Sequence, residues 1–186
     1  MSSQIVVVML VVIWSGGCSA HGRMWDPPGR STMWRVGFST PRNYNDNSLG
    51  CGGRYIHQTV SRGQCGICGD NFQDPQPRAN EAGGRYGRGI LVRTYSQGET
   101  ISVHAELTAN HKGWMEFKIC PNNDVNKIAT QACLDQYVLQ KADGTGTKTI
   151  VPTDQRQFYI DLVLPKGLTC SQCVVQWKYH AGTSIF

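Results

Sequence analysis

The chain has 186 residues and a formal net charge of +5, from 18 Lys and Arg against 13 Asp and Glu. This length suits one domain with a single hydrophobic core. The basic residues are scattered, and no basic patch is interleaved with aromatic residues, so the composition argues against nucleic acid as a partner.

Residues 1–20 have the pattern of a secretory signal peptide. Residues 5–14 (IVVVMLVVIW) are an unbroken apolar run, and 18–20 (CSA) offer small residues for cleavage. The run is too short for a good transmembrane helix, and no second one follows. We therefore expect a secreted, extracellular protein with no membrane partner, whose single mature domain, residues 21–186, begins at His21.

Residues 21–87 are rich in Gly, Pro, Asn and Arg, with several aromatic residues and cysteines among them. Such a stretch is too rich in aromatic residues and cysteine to be disordered, and it predicts loops and short helical turns held by disulfides.

From residue 90 the pattern changes to short β-rich segments. In 100–107 (TISVHAEL), Ile101, Val103 and Ala105 alternate with polar residues, which is typical of a half-buried strand. Residues 114–120 (WMEFKIC) alternate again, which predicts a hairpin-like pair of strands with His111 in the connection. Five or six antiparallel strands at such spacings predict an all-β sandwich. The remaining predicted strands are 90–95, 137–139, 158–164 and 174–179.

Seven cysteines remain after cleavage, in a chain expected to be oxidised. The CxxC pairs at 65–68 and 170–173 could form a four-thiolate zinc site, but disulfides are the favoured reading. An odd number leaves at least one cysteine without a partner in the same chain. Cys120 and Cys133 bracket a Pro- and Asn-rich segment directly after a strand, and we predict that they form a disulfide.

An N-terminal histidine offers two nitrogen donors, the free α-amine and ring Nδ1, that can chelate one metal ion. Imidazole and amine nitrogens suit Cu(II) in tetragonal geometry, and one further imidazole would complete a T-shaped set. His104 lies within a predicted strand, whereas His111 lies in a loop, where functional residues concentrate. An ordinary turn histidine is the alternative interpretation of His111.

Three segments, in this order and spacing, make the chain similar to the lytic polysaccharide monooxygenases, most of all to the animal members in auxiliary activity family 15. They are His-Gly at 21–22, TANHKGWMEFKIC at 108–120, and CSQC at 170–173 leading to QWKY at 176–179. The resemblance runs from residue 21 to about residue 184. It implies an immunoglobulin- or fibronectin-like antiparallel β-sandwich with long disulfide-tied loops and a flat, exposed copper site.

The resemblance also implies functional residues. His21 and His111 would be the ligands of one copper ion that cycles between Cu(II) and Cu(I), an arrangement called the histidine brace. Ala109 matches the small residue beside the axial side of the copper. Tyr44 matches an exposed aromatic residue that can lie on a sugar face, with a loop anchor packed on the core as the alternative.

The activity implied is oxidative cleavage of crystalline chitin or cellulose, with hydroxylation at C1 or C4 followed by bond-breaking elimination. An external electron donor and O2 or H2O2 would be required. The expected partners are thus an insoluble polysaccharide and a reductant, and the expected state is a monomer. The alternative function is a non-catalytic, secreted polysaccharide-binding protein with the same fold.

The sequence departs from the family pattern at its C-terminal end. Family members continue past the 174–179 strand with further cysteines and an aromatic residue on the axial side of the copper, whereas this sequence stops at Phe186. The sequence is then either a fragment or alternative transcript of an active enzyme, or a genuinely shortened protein. We expect this form to lack a C-terminal strand and to be weakly active or inactive.

Overall fold

The computed structural model describes residues 21–182, so the expected signal peptide and Phe186 lie outside the described residues. Within this range, no helix is long and apolar enough to cross a membrane. A short 3-10 helix spans Met33–Val36 and a π-helical turn spans Ile56–Val60. The remaining elements are β1 (His21–Asp26), β2 (Thr100–Ala109), β3 (Trp114–Pro121), α1 (Gln131–Leu134), β4 (Gln140–Lys141), β5 (Thr149–Ile150), β6 (Gln157–Val163) and β7 (Cys173–His180).

The strands form two antiparallel sheets. One sheet has the order β1-β2-β6-β4 and the other has the order β5-β3-β7. This arrangement confirms the all-β sandwich expected from the sequence.

Alternation along the strands builds the core between the sheets. Ile101, Val103, Ala105 and Leu107 of β2 are buried, while their sequence neighbours are exposed or half-buried. Burying a side chain the size of Val or Phe stabilises the fold by roughly 1.5–3 kcal/mol. The opposing sheet and β6 supply most of the other core side chains, namely Met115, Phe117, Ile119, Phe158, Ile160 and Leu162.

The predicted hairpin of 100–107 with 114–120 is wrong. β2 pairs with β1 and β6, whereas β3 pairs with β5 and β7 in the other sheet. The segment 110–113 therefore crosses from one sheet to the other. Alternation determines which face of a strand is buried but not its hydrogen-bonding partner, because in a sandwich both sheets bury a face in the same core. His111 does lie in the connection, as expected.

Three local predictions also differ from the structure. Residues 21–26 form β1 although loops were expected, because only Met24 of this strand is buried and no alternation marks it. Residues 90–95 are not a strand, and their Leu91 side chain is 59% exposed. Residues 137–139 contribute only an isolated bridge, between Val138 and Lys118, ahead of β4.

Three disulfides tie the loops: Cys51–Cys65, Cys120–Cys133 and Cys170–Cys173. The Cys120–Cys133 bond is the one predicted, with the two Cα atoms 5.4 Å apart. A four-thiolate zinc site is excluded because Cys65, Cys170 and Cys173 are oxidised.

Among the described residues, Cys68 is the free cysteine. Burial raises the pKa of its thiol to about 11, although the Arg30 guanidinium, with Nη1 3.5 Å from Sγ, acts in the opposite direction. The thiol therefore stays protonated at neutral pH and is a poor nucleophile.

Replacing Cys120 and Cys133 together with Ala should lower the free energy of unfolding by about 3 kcal/mol, because the bond closes a loop of intermediate length in the unfolded chain. Replacing the Cys170–Cys173 pair, which are 3 residues apart in sequence, should cost less, about 2 kcal/mol. Urea denaturation without reductant measures both. Equal losses for the two pairs would contradict the loop-closure explanation.

Candidate metal centre

The strand register brings His21 and the His111 turn to the same end of the four-stranded sheet. His21, the first residue of β1, is paired with Ala109, the last residue of β2. His111 follows Ala109 by two residues and begins the crossing to the other sheet. Two histidines that are 90 positions apart in the sequence thus lie at one edge of the sandwich.

Gly22 holds the beginning of β1 closely against both sheets. Its N–H donates a hydrogen bond of 2.9 Å to the carbonyl of Asn47. A Cβ atom at this position would lie 2.7 Å from Trp177 Cη2, 2.7 Å from the Glu106 carbonyl oxygen and 2.8 Å from Leu107 Cδ2. No side chain fits there, so the backbone next to His21 can approach the neighbouring strand only with glycine at position 22.

The side chain of Asn110 organises the turn that carries His111. Its Nδ2 donates to the carbonyls of Pro152 and Gln155, at 2.8 and 2.5 Å, and its Oδ1 accepts from the Lys112 N–H at 2.7 Å. Gly113 has φ +87, and a Cβ there would overlap the carbonyl of His180. The turn is therefore held by contacts to two separate segments of the chain.

The other histidines of the described residues have different surroundings. His104 pairs with Asp26 at the far end of β1, its ring stacks on Tyr159 at 4.3 Å, and its Nε2 lies 2.7 Å from Gln157 Oε1. His57 lies in the π-helical turn, and its Nε2 is 2.9 Å from the carbonyl oxygen of Gly63.

The His180 ring stacks on Trp114 at 3.8 Å, and its Nε2 lies 3.3 Å from Glu116 Oε1. Burial is the main cause that lowers the pKa of His180, opposed by the hydrogen bond to Glu116. Its ring is therefore predominantly neutral at neutral pH.

Tyr44 lies on the loop that is tied to the histidine end of the sheet. Three residues further on, Asn47 accepts from Gly22 and donates through Nδ2 to Thr108 Oγ1 at 2.7 Å. The Tyr44 side chain is 73% exposed, so it is not a loop anchor packed on the core. Its ring meets Trp34 edge to face at 5.2 Å, and Arg42 Nη1 donates to its hydroxyl at 3.3 Å.

The donor chemistry at this end of the sheet fits copper. Within residues 21–182, no group of three or more His, Cys, Asp or Glu side chains is arranged to hold a metal ion. With the His21 and His111 imidazoles as two donors, a third would have to come from another group, and the α-amine of His21 would be one after cleavage. Ala109, which is paired with His21, carries only a methyl group.

Comparisons with known proteins agree with this chemistry. The family model described as lytic polysaccharide mono-oxygenase, cellulose-degrading, matches residues 21–186. A solved structure of a lytic polysaccharide monooxygenase AA15 from Thermobia domestica in the Cu(I) state is similar, with a TM-score of 0.82 and 46% sequence identity. The match covers 84% of this chain and 81% of that chain. A comparison with curated proteins finds no match.

The chain therefore belongs to the lytic polysaccharide monooxygenase family and resembles its AA15 members. It is a copper-dependent monooxygenase that cleaves polysaccharides oxidatively. Membership in the family implies that it needs a reductant and an oxygen co-substrate.

Gly22→Ala should displace the start of β1, because three atoms of the fold lie within 2.8 Å of the added Cβ. We expect a stability loss of roughly 1–3 kcal/mol, as for other overpacked sites, together with weaker Cu(II) binding. Gly50→Ala is the matched control, since no atom lies within 4 Å of a Cβ there. Thermal unfolding and calorimetric copper titration of both variants test the prediction, and wild-type behaviour of Gly22→Ala would refute it.

Proposed function

We propose that His21 and His111 hold the copper ion as a histidine brace. The α-amine and ring Nδ1 of His21 and one ring nitrogen of His111 would supply the three donors. The pairing of His21 with Ala109 is the observation that supports this proposal. Because His111 follows Ala109 by two residues, a mature N-terminus at His21 would lie beside the turn that carries His111. Bound copper supplies one-electron redox chemistry, driven by an external reductant and O2 or H2O2.

The proposal requires secretion and cleavage after Ala20. An α-amine can coordinate a metal only when it is free and neutral. Cleavage at any other bond would separate the amine from the His21 ring and remove one of the two donors that chelate together. N-terminal sequencing of the secreted protein should therefore return His21 as the first residue.

The proposed substrate is an insoluble polysaccharide, chitin or cellulose. The exposed Tyr44 ring lies on the loop that is hydrogen-bonded to Gly22 at the beginning of β1. A sugar face stacked on this ring would lie beside the two histidines. Aromatic rings provide a large apolar contact at a small cost in conformational entropy. An aromatic side chain at the open surface, rather than in a cleft, suits a chain that is still part of a crystal.

Incubation with chitin and with cellulose, each with a reductant, tests the whole proposal. Oxidised oligosaccharides from either substrate support it, and their oxidised end identifies C1 or C4 attack. Binding to both solids without oxidised products would instead support a polysaccharide-binding role for this form of the chain.

His111→Ala in the mature protein should abolish tight Cu(II) binding, since only the His21 chelate would remain. His104→Ala is the matched control and should leave the affinity unchanged. The His104 ring stacks on Tyr159, and His104 is paired with Asp26, at the end of β1 opposite His21. Calorimetry with Cu(II) distinguishes the two variants. Loss of binding in His104→Ala with retention in His111→Ala would overturn the brace.

Tyr44→Ala should weaken adsorption to the solid substrate by roughly two- to tenfold, the equivalent of 0.5–1.5 kcal/mol for one aromatic contact. Copper affinity should not change. Tyr159→Ala is the control, because that ring is equally exposed, at 71%, but lies on β6 and packs on His104. Adsorption isotherms on chitin and cellulose measure the effect, and equal losses in both variants would contradict a specific role for Tyr44.

A further inference from the structure

We propose that Tyr179 is a positioning residue for the His111 ligand, acting through the backbone of the turn. The inference rests on the proposed brace, in which His111 is a copper ligand. Tyr179 lies on β7, in the other sheet and 68 positions from His111 in the sequence.

One hydroxyl group satisfies two successive residues of the turn. The Tyr179 hydroxyl oxygen accepts a hydrogen bond of 3.0 Å from the His111 N–H. The same hydroxyl donates a hydrogen bond of 2.7 Å to the carbonyl of Lys112. A phenol has one hydrogen to donate and lone pairs to accept, so both roles are filled in a single geometry.

The sheet makes Tyr179 a rigid support. Its backbone is paired with Met115 in the β3–β7 ladder, and its partly buried ring packs against the core. The aromatic ring has only two side-chain torsions, and its packing against the core limits their freedom. The hydroxyl is therefore fixed relative to the three-stranded sheet before any ligand binds.

The turn needs such support because its conformation is unfavourable for the residues in it. Lys112 has φ +56, in the left-handed region that a non-glycine residue seldom adopts. Conformations of this kind persist where the surrounding contacts over-determine them. The bond from Tyr179 to the Lys112 carbonyl fixes one side of that residue, and the Asn110 side chain holds its N–H.

The His111 peptide groups are held on both sides as a result. Its N–H donates to Tyr179, and its carbonyl accepts from the Gly182 N–H at 2.9 Å. With both backbone groups occupied, the direction in which the His111 side chain leaves the backbone is determined by the fold. Groups that orient metal ligands in this way typically change metal affinity by 10- to 100-fold when removed.

Tyr179→Phe tests the proposal with little change in packing, because it removes only the hydroxyl. We expect Cu(II) affinity to fall by about tenfold and the Cu(II) electron paramagnetic resonance spectrum to change its g and hyperfine values. Tyr159→Phe, which loses a hydroxyl from an exposed ring, should leave both unchanged. The melting temperature and circular dichroism of the metal-free variants check that the fold is kept.

His111→Ala, measured in the same experiment, distinguishes failure of the positioning role of Tyr179 from failure of the proposed histidine brace. If His111→Ala loses tight copper binding while Tyr179→Phe keeps wild-type affinity and spectrum, the positioning role is wrong and the brace stands. If His111→Ala keeps tight binding, the brace itself is wrong. A second variant, Lys112→Asn in the Tyr179→Phe background, should recover part of the affinity, because Asn tolerates the left-handed region better than Lys does.

Discussion

The antiparallel pairing of β1 with β2 is the constraint on which the candidate metal centre depends. Chain termini ordinarily fray unless a sheet or a docked helix holds them. Here six residues at the beginning of the domain are incorporated into the four-stranded sheet, and Gly22 lets the backbone approach Trp177 and Leu107 closely. If the mature chain begins at His21, as proposed, its α-amine would be as well positioned as a donor in the middle of a strand.

The second half of the centre depends on the crossing between the sheets. The connection after β2 has to leave one sheet and enter the other within a few residues, and His111 lies in that crossing. Its path is fixed by hydrogen bonds from Tyr179 of β7 and from Gly182, two residues beyond β7. Asn110 also holds it, by reaching the carbonyls of Pro152 and Gln155. The sandwich core, formed from both sheets, therefore positions the two histidines relative to each other without burying either of them.

The combination of a rigid sandwich and an open edge agrees with the membership of this chain in a family of copper monooxygenases. The loop with Tyr44 is long and irregular, yet Asn47 ties it to β1 and β2. An exposed aromatic ring is thus held at a defined place next to the histidine end of the sheet. Loops positioned by a rigid scaffold commonly carry binding and catalytic residues, which is consistent with the substrate contact proposed for Tyr44.

The sequence by itself determined the elements whose pattern is local. Alternation identified β2 and β3, and β-rich segments predicted β6 and β7. The Pro- and Asn-rich segment predicted the Cys120–Cys133 bond, and an ordered set of short motifs identified the family. The signal peptide stays a prediction. Only the tertiary structure decided which strands pair, that β1 is a strand, and that residues 90–95 are not. The physical reason is that alternation indicates only which face of a strand is buried. Strand pairing, the close packing around Gly22 and the hydrogen bonds from Tyr179 to the His111 turn join residues that are far apart in the sequence. No local sequence pattern predicts such contacts.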